Sequence, residues 1–225
     1  MTTSAVLLSG GLDSAVLLAD EATRYPLVQP IYVAVGLAWE PAERALLEAL
    51  LARSRGDRRI RPLAALSVDM QDVYAASHWA MTGDAPAYHT PDEDVYLPGR
   101  NIILLAKAGV YCAAARIDRL ALGTLAHNPF PDATPAFRTA MQQALSLGSG
   151  RPIEIDAPYA TIGKPEVIRR GAALGVPFEL TLSCMSPSRQ SHCGRCSKCR
   201  ERHDAFVAAG IPDPTTYVDT ANVAS

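Results

Sequence analysis

An apolar run that ends in a serine- and glycine-rich turn lies near the start of this chain, in the segment Ala5-Val-Leu-Leu-Ser-Gly-Gly-Leu-Asp-Ser14. The pattern predicts a buried strand over 5–9 and a helix over 14–22. A glycine-rich turn between a strand and a helix presents backbone N–H groups at the positive end of the helix, which favours an oligophosphate. The segment therefore predicts a phosphate-binding site, whose residues are Leu8, Ser9, Gly10, Gly11, Leu12, Asp13 and Ser14.

Two familiar phosphate-binding patterns are absent from this turn. It contains neither the GxxxxGK[ST] pattern of P-loop proteins nor the GxGxxG pattern of dinucleotide-binding proteins. Ser9 and Ser14 add hydroxyl donors, and Gly10 and Gly11 let the backbone approach a ligand without a Cβ in the way. The turn therefore predicts a phosphate site of another type.

Apolar and β-branched runs alternate with helical patterns along most of the chain. Further strands are predicted at 31–35, 62–68, 119–123 and 153–155. Further helices are predicted at 40–53, 102–115, 135–147, 164–174 and 200–209. Strands separated by helices pair in parallel through right-handed crossovers, so the pattern predicts an α/β fold with a doubly wound, mostly parallel sheet. In such folds ligands bind beyond the carboxyl ends of the strands, where the phosphate-binding turn lies.

Two changes in composition indicate how the rest of the chain is organised. The stretch 82–94 is rich in proline and acidic residues and poor in apolar ones, which predicts a long loop and a candidate lid. From Cys184 onward the composition changes to cysteine and basic residues. We therefore predict a nucleotide-binding domain over 1–180 and a cysteine-rich, helical subdomain over 181–225.

The charge and hydropathy of the chain argue against several classes of protein. Its net charge is −2, whereas a general nucleic-acid surface needs a concentrated basic face. No apolar run is long enough for a membrane span, and the first residues lack the basic and apolar regions of a signal peptide. These features predict a cytoplasmic protein that binds neither nucleic acid nor membranes.

Four of the five cysteines lie within sixteen residues, with the spacing C-x8-C-x2-C-x2-C. In a reducing compartment thiols more often bind metal than form disulfides, and four thiolates are the ligand set of a closed structural zinc site. An iron–sulfur cluster and a redox-active CxxC pair are the alternatives. The predicted ligands are Cys184, Cys193, Cys196 and Cys199.

The remaining cysteine, two histidines and several basic residues are not predicted to bind the metal. His192 and His203 are predicted at the surface or beside the ligands, because four cysteines already complete a tetrahedron. The fifth cysteine, Cys112, lies in an apolar helical stretch and is predicted to be a buried apolar residue. Nearby basic side chains would offset the negative charge of a zinc tetrathiolate; they are Arg189, Arg195, Lys198 and Arg200.

The turn alone resembles the pyrophosphate-binding loop of the ATP-pyrophosphatase superfamily. Together with the cysteine spacing, it resembles the 7-cyano-7-deazaguanine synthase family of that superfamily. The segments between the two motifs are similar to those of the family and follow in the same order: Leu97-Pro-Gly-Arg-Asn101, Phe130-Pro-Asp132, Ile162-Gly-Lys-Pro-Glu166 and His192-Cys-Gly-Arg-Cys-Ser-Lys-Cys199. The resemblance implies a fold like that of the adenine nucleotide α-hydrolases and a homodimer.

The family's reaction converts 7-carboxy-7-deazaguanine and ammonia to 7-cyano-7-deazaguanine through an adenylated acid, with ATP cleaved between its α and β phosphates. The resemblance therefore implies small-molecule substrates, ATP and Mg²⁺ as well as Zn²⁺. The predicted catalytic residues are Asp13, Ser14, Arg100 and Lys164.

Three of these side chains, those of Asp13, Arg100 and Lys164, have a structural alternative. Asp13 cannot attract phosphate by charge, so it is assigned to Mg²⁺ or to the organisation of the turn, with a helix cap as the alternative. Arg100 is the candidate clamp for a phosphate or a carboxylate, and Lys164 is the candidate for the α-phosphate. For both, a solvated residue at the start of a helix is an equal alternative. Asp132 and His127 are interpreted as a turn residue and an exposed side chain.

Two loops depart from the family pattern. After the second strand the family usually carries a Tyr-Gly-Gln-basic-His segment, whereas this chain has Gly36-Leu-Ala-Trp-Glu40. An Asn-Val-Asp-like stretch of the family is replaced by Thr124-Leu-Ala-His-Asn128. Because these loops would face the acceptor, the alternatives are a related ligase that adenylates another acid and a nucleotide-binding regulatory protein without turnover. The use of the product, in tRNA, DNA or a secondary metabolite, stays open.

Overall fold

The structure is a computed structural model that describes residues 3–223. Within that range five parallel strands form one sheet in the order β3-β2-β1-β4-β5. The strands are β1 (Thr3–Leu7), β2 (Leu27–Ala34), β3 (Ala64–Ser67), β4 (Arg119–Ala121) and β5 (Glu154–Asp156). The chain proceeds outward from β1 to β3 and then returns to the other side of β1, which confirms the predicted doubly wound sheet.

Seven α-helices lie in the described range: α1 (Leu12–Arg24), α2 (Glu40–Arg53), α3 (Trp79–Thr82), α4 (Arg100–Ala115), α5 (Pro135–Ser149), α6 (Lys164–Ala173) and α7 (Ser197–Ala209). The predicted elements occur with shifted ends. β1 ends at Leu7 because Ser9 already belongs to the turn, and α7 begins at Ser197 rather than at 200. The short helix α3 was not predicted. The stretch 83–91 that follows it is irregular, as predicted, up to a 3₁₀ turn at Asp92–Val95.

The sheet separates two apolar cores, because successive side chains of a strand point to opposite faces. In β1, Ala5 packs into the core that α4 and α5 cover, whereas Val6 packs into the core formed with α1 and α6. Cys112 belongs to the first core and has no exposed surface, as predicted. Along residues 3–223 we find no helix with the length and apolarity that a bilayer crossing demands.

Arg202 fastens α7 to the segment that precedes the cysteines. Its side chain is 1% exposed, and it donates hydrogen bonds to the carbonyl of Phe178 at 2.8 Å and to the hydroxyl of Thr181 at 2.9 Å. The carboxylate of Asp213, from the C-terminal segment, lies 3.8 Å from its Nε. A guanidinium with several fixed acceptors holds one orientation. These contacts of Arg202 therefore fix α7 against the segment that precedes the cysteines.

Candidate active site

The phosphate-binding turn leaves β1 and enters α1 at Leu12, two residues before the predicted start. Gly10 has φ +79°, in the left-handed region, and a Cβ there would lie 3.3 Å from the carbonyl oxygen of Glu43. Ser14 Oγ donates to the Gly11 carbonyl at 2.9 Å. Because Gly11 is the N-cap of α1 and has no side chain, the first N–H groups of the helix are left for an anion.

Two adjoining compartments of a cleft open at this turn. The first, of about 260 Å³, lies over the carboxyl ends of β1, β2 and β4 and beside the start of α4. The second, of about 330 Å³, lies between the turn, the start of α6, the cysteine-rich segment and α7. The wall that they share includes Ser9, Gly11, Asp13, Glu43 and Arg100. Two ligands bound side by side in the cleft would therefore meet at the phosphate-binding turn.

Arg100, the first residue of α4, lines both compartments. Its Nε is buried and has no hydrogen-bond partner among residues 3–223. The nearby carboxyl of Glu43 accepts a hydrogen bond from Tyr32 Oη at 2.9 Å. Burial raises the pKa of Glu43 to about 7, although the positive charge of Arg100 opposes this shift. Arg100 therefore keeps an unused donor at the junction of the compartments.

Asp132 holds the start of α4 in place. Its Oδ2 accepts a hydrogen bond from the backbone N–H of Asn101 at 3.1 Å, and its backbone carbonyl accepts one from the Asn101 amide at 3.1 Å. Gly99, the N-cap of α4, supplies no side chain for this purpose. Asp132 lies in a turn, as predicted, and in addition caps a helix that begins far away in the sequence. His127 is exposed, as predicted.

The second compartment brings two of the predicted catalytic residues together. Lys164 Nζ lies 3.3 Å from Asp13 Oδ2, and it also forms an ion pair with Glu201. Burial opposes the charge of Lys164, but the two carboxylates raise its pKa, so this side chain is a cation. Burial raises the pKa of Asp13 against the attraction of Lys164, and its Oδ1 has no hydrogen-bond partner within the described chain. Glu201 was not singled out from the sequence, because no local pattern marks it.

Aromatic side chains form part of the wall of the second compartment. The rings of Trp39 and Trp79 stack with their centroids 5.7 Å apart and their planes inclined by 10°. Trp39 immediately precedes α2, whose Glu40 carboxylate accepts hydrogen bonds from the N–H groups of Val35 at 2.7 Å and Gly36 at 3.1 Å. The segment that departs from the family pattern is therefore held in place and contributes to the cleft. Trp79 was not predicted to be part of the site.

The four predicted cysteine ligands converge at one point. Their Sγ atoms are buried and lie within 4.8 Å of one another. Three of the sulfur pairs are separated by 3.5, 3.9 and 3.9 Å, close to the ~3.8 Å edge of a tetrahedron with 2.3 Å metal–sulfur bonds. The backbone N–H of Cys193 donates to the Cys184 sulfur at 3.2 Å, as expected around thiolates. The donor set and its spacing fit one tetrahedrally bound metal ion.

The chain as a whole matches a known family. The family model described as Queuosine biosynthesis protein QueC matches residues 3–210. This chain belongs to the QueC family. It is 34% identical to the 7-cyano-7-deazaguanine synthase of Anaeromyxobacter sp. (strain Fw109-5), over 95% of each chain. It is 35% identical to the 7-cyano-7-deazaguanine synthase of Thermosynechococcus vestitus (strain NIES-2133 / IAM M-273 / BP-1), over 94% of each chain. As a member of a family of synthases, this chain is an enzyme.

A solved structure shares the fold of this QueC-family enzyme. It is a complex of a 4-thiouridine synthetase with RNA and bound ATP, which superposes with a TM-score of 0.51 at 14% sequence identity. The match covers 96% of this chain and 47% of the other. The likeness confirms the predicted fold class.

Two of the minor predictions for this QueC-family enzyme are refined by the structure. His192 was predicted either at the surface or beside the ligands, and the prediction of a surface position is wrong. The side chain is 3% exposed, and its Nε2 accepts a hydrogen bond from the Ser183 N–H at 3.1 Å. Burial lowers the pKa of His192 to about 3, so this side chain is neutral beside the cysteines. Lys198 and Arg200, predicted to offset the charge of the cluster, form ion pairs with carboxylates of α7 and the 3₁₀ turn.

Proposed function

We propose that this enzyme adenylates the carboxylate of 7-carboxy-7-deazaguanine, cleaving ATP to AMP and pyrophosphate, and converts that acid with ammonia to 7-cyano-7-deazaguanine. One observation carries the proposal: the SGGLDS turn lies where two compartments join, so a nucleotide and an acceptor can meet over the start of α1. The names of the relatives, which are 7-cyano-7-deazaguanine synthases, support this choice of acceptor.

The first compartment suits the adenosine of ATP. Apolar side chains at the ends of three strands line it, among them Leu8, Val33 and Leu122, and they favour the burial of a flat heterocycle. The phosphates would then extend over the first N–H groups of α1, which carry a partial positive charge. Arg100 would bind a phosphate or the acceptor carboxylate through its unused donor. Such fixed donors stabilise the charge that develops on departing pyrophosphate.

The second compartment suits the acceptor acid. The stacked rings of Trp39 and Trp79 offer apolar aromatic surface to a heterocyclic ring. A carboxylate is a poor acyl donor, because its leaving group would be oxide, and adenylation replaces this leaving group with AMP. Ammonia displaces AMP to form an amide, and a second adenylation at the amide oxygen allows AMP to leave as the nitrile forms.

Two metal ions are part of the proposal. Asp13, whose Oδ1 is buried and has no partner in the described range, would hold Mg²⁺, which neutralises phosphate charge when it is bound. Cys184, Cys193, Cys196 and Cys199 would hold Zn²⁺. Four thiolates leave no open position for a substrate, so the zinc would be structural.

Further parts of the proposal concern the organisation of the protein. We infer a nucleotide-binding domain over 1–180 and a subdomain over 181–225, of which residues 1, 2, 224 and 225 lie outside the described range. We also infer a cytoplasmic homodimer whose substrates do not include nucleic acid. The net charge of −2 supports the last point.

A product assay with purified enzyme, ATP, Mg²⁺ and ammonium tests the proposed reaction. We expect AMP and pyrophosphate to form when 7-carboxy-7-deazaguanine is added, with two AMP released per nitrile. AMP formed only with another acid would identify a different ligase, which the departures at 36–40 and 124–128 favour as the second candidate. Nucleotide binding without AMP release from any acid would indicate a regulatory protein, and ADP as the product would overturn adenylation altogether.

A further inference from the structure

Four side chains of alternating charge connect α7 with the phosphate-binding turn, and we call them the ion-pair relay: Lys198, Glu201, Lys164 and Asp13. Lys198 Nζ lies 2.6 Å from one carboxylate oxygen of Glu201, and the other oxygen pairs with Lys164. Lys164 Nζ lies 3.3 Å from Asp13 Oδ2. All four side chains line the second compartment and are between 14% and 25% exposed. The relay thus joins the helix that carries Cys199 to the first turn of α1.

We propose that Glu201 is a positioning residue, which holds the ammonium group of Lys164 beside Asp13 and so fixes it where the α-phosphate of ATP must bind. This role rests on the proposed adenylation reaction. It assigns a function to a residue of α7 that has no part in metal binding.

The need for a positioning residue follows from the lysine side chain. Lysine ends a flexible four-carbon stem, and holding its ammonium group in one place costs conformational entropy. A single, partly exposed ion pair with Asp13 stabilises one position only weakly. A second ion pair, with the carboxylate of Glu201, restricts the ammonium further. Lys164 therefore keeps a defined position even before a nucleotide binds.

Glu201 is itself well anchored. It lies in the first turns of α7, which begins immediately after the ligand Cys196, and it follows Cys199 by two residues. The next residue, Arg202, is 1% exposed and is held by several acceptors. Lys198, one turn earlier in α7, pairs with Glu201 from the same helix. The carboxylate of Glu201 is therefore held by its ion pair with Lys198 and by the anchored neighbour Arg202.

The charges of the relay predict how its loss would appear in kinetics. Glu201 is an anion near the proposed phosphate site, so its removal lowers repulsion toward ATP and should not weaken nucleotide binding. The freed Lys164 side chain would, however, sample positions away from the reacting phosphate. Misplacement of a catalytic group by about 1 Å can cost on the order of 100-fold in rate. We therefore expect kcat to fall while KM for ATP stays constant or decreases.

The test compares Glu201→Ala and Glu201→Gln with the wild type and with Asp204→Ala, an exposed change on the same helix. We expect kcat for AMP release to fall about tenfold to 100-fold in Glu201→Ala, less in Glu201→Gln, and not in Asp204→Ala. Metal content should be unchanged in all of them. A kcat equal to that of the wild type in Glu201→Ala, or a fall explained by lost metal or lost folded protein, would overturn the proposal. Lys198→Met supplies a second variant should Glu201→Ala be insoluble, with a smaller fall in kcat expected.

A double-mutant cycle with Lys164→Met separates this inference from the proposed reaction. If Glu201 acts through Lys164, adding Glu201→Ala to Lys164→Met should change kcat by less than about twofold, whereas additive losses would contradict the relay. If the wild type releases no AMP, the same four proteins are compared by their affinity for α,β-methylene-ATP, measured by calorimetry. A coupling of at least about threefold in affinity supports the relay in that case, and independent effects reject it.

Discussion

Tyr32 donates a hydrogen bond to Glu43 within the first compartment, with 2.9 Å between the phenol oxygen and Glu43 Oε2. Both side chains are buried, at 3% and 6% exposure. Glu43 also lies against the phosphate-binding turn. A Cβ added to Gly10 would be only 3.4 Å from Glu43 Cγ. One carboxyl thus connects β2 and α2 with the turn, and its protonation state affects all three.

This carboxyl should make stability depend on pH. Burial raises the pKa of Glu43 from 4.5 to about 7, so the folded state binds its proton more tightly than the unfolded chain. Its contribution to the free energy of unfolding is complete below pH 4.5 and is lost as the pH rises through about 7. In urea unfolding we expect the wild type to lose about 2 kcal/mol more than Glu43→Gln between pH 5 and pH 8. Equal losses in the two proteins would contradict this assignment.

Asp13→Asn should separate chemistry from folding. The substitution removes the proposed ligand of Mg²⁺ and one partner of Lys164 while keeping the shape of the side chain. Loss of one fixed electrostatic contact in a catalytic site commonly costs about 100-fold or more in rate, and we expect AMP release to fall by at least that factor. Thermal unfolding should change little, because the lost attraction to Lys164 is offset by the removal of a charge whose burial is unfavourable.

The control for Asp13→Asn is Asp94→Asn, which removes an exposed acidic group from the 3₁₀ turn before α4. Its AMP release should match that of the wild type. Normal turnover in Asp13→Asn would show that the turn does not bind the phosphates as proposed.

Local patterns in the sequence account for the fold and for part of the site. The strand–turn–helix unit around Ser9 to Ser14 could be predicted because the few residues that form it are contiguous, and the cysteine ligands because their spacing determines their geometry. The four-residue helix α3 was missed because it is too short to show a helical period. The sequence therefore did not predict that Trp79 lines the second compartment.

Contacts between distant parts of the chain could not be predicted in this way. Glu201 acquires its place in the site from the packing of α7 against α6, and Asp132 caps a helix whose Asn101 lies 31 positions away. Glu201 has no spacing or neighbour in the sequence that distinguishes it from an ordinary surface carboxylate, and the segment Phe130-Pro-Asp132 marks Asp132 as a turn residue but not as the cap of α4. Such roles depend on tertiary structure, which no local pattern encodes.

Trp79→Ala should weaken binding of the acceptor without affecting ATP. Trp79 lines only the second compartment and is half-buried, so truncation removes aromatic surface there and leaves the first compartment intact. Because an aromatic contact contributes up to about 1.5 kcal/mol, KM for the acid should rise by about tenfold. KM for ATP should stay within about twofold of the wild type, and Trp79→Phe should restore most of the loss.

Steady-state kinetics with each substrate varied in turn checks this prediction. A parallel rise in both KM values would indicate a general disturbance of the cleft. An unchanged KM for the acid would show that the acceptor binds elsewhere.

Cys196→Ser should remove the metal and destabilise the protein. Cys196 Sγ lies 3.5 Å from the sulfur of Cys199 and 3.9 Å from that of Cys184, and Cys196 is also the N-cap of α7. Because structural zinc contributes directly to the free energy of folding, its loss should lower Tm by roughly 10 °C or leave the protein insoluble. Cys112→Ala is the matched control, since the buried Cys112 of α4 is not one of the four cysteines whose Sγ atoms converge.

Elemental analysis and thermal unfolding of both variants decide the role of the cluster. We expect about one zinc per chain in the wild type and in Cys112→Ala, and close to none in Cys196→Ser. A brown wild-type protein that contains iron and sulfide would replace the zinc site with an iron–sulfur cluster, which the same four thiolates can bind. A Cys196→Ser protein that lacks metal yet unfolds at the wild-type temperature would show that the cluster does not stabilise α7. The position of Glu201 beside Lys164 would then depend on Arg202 and its acceptors instead of the metal.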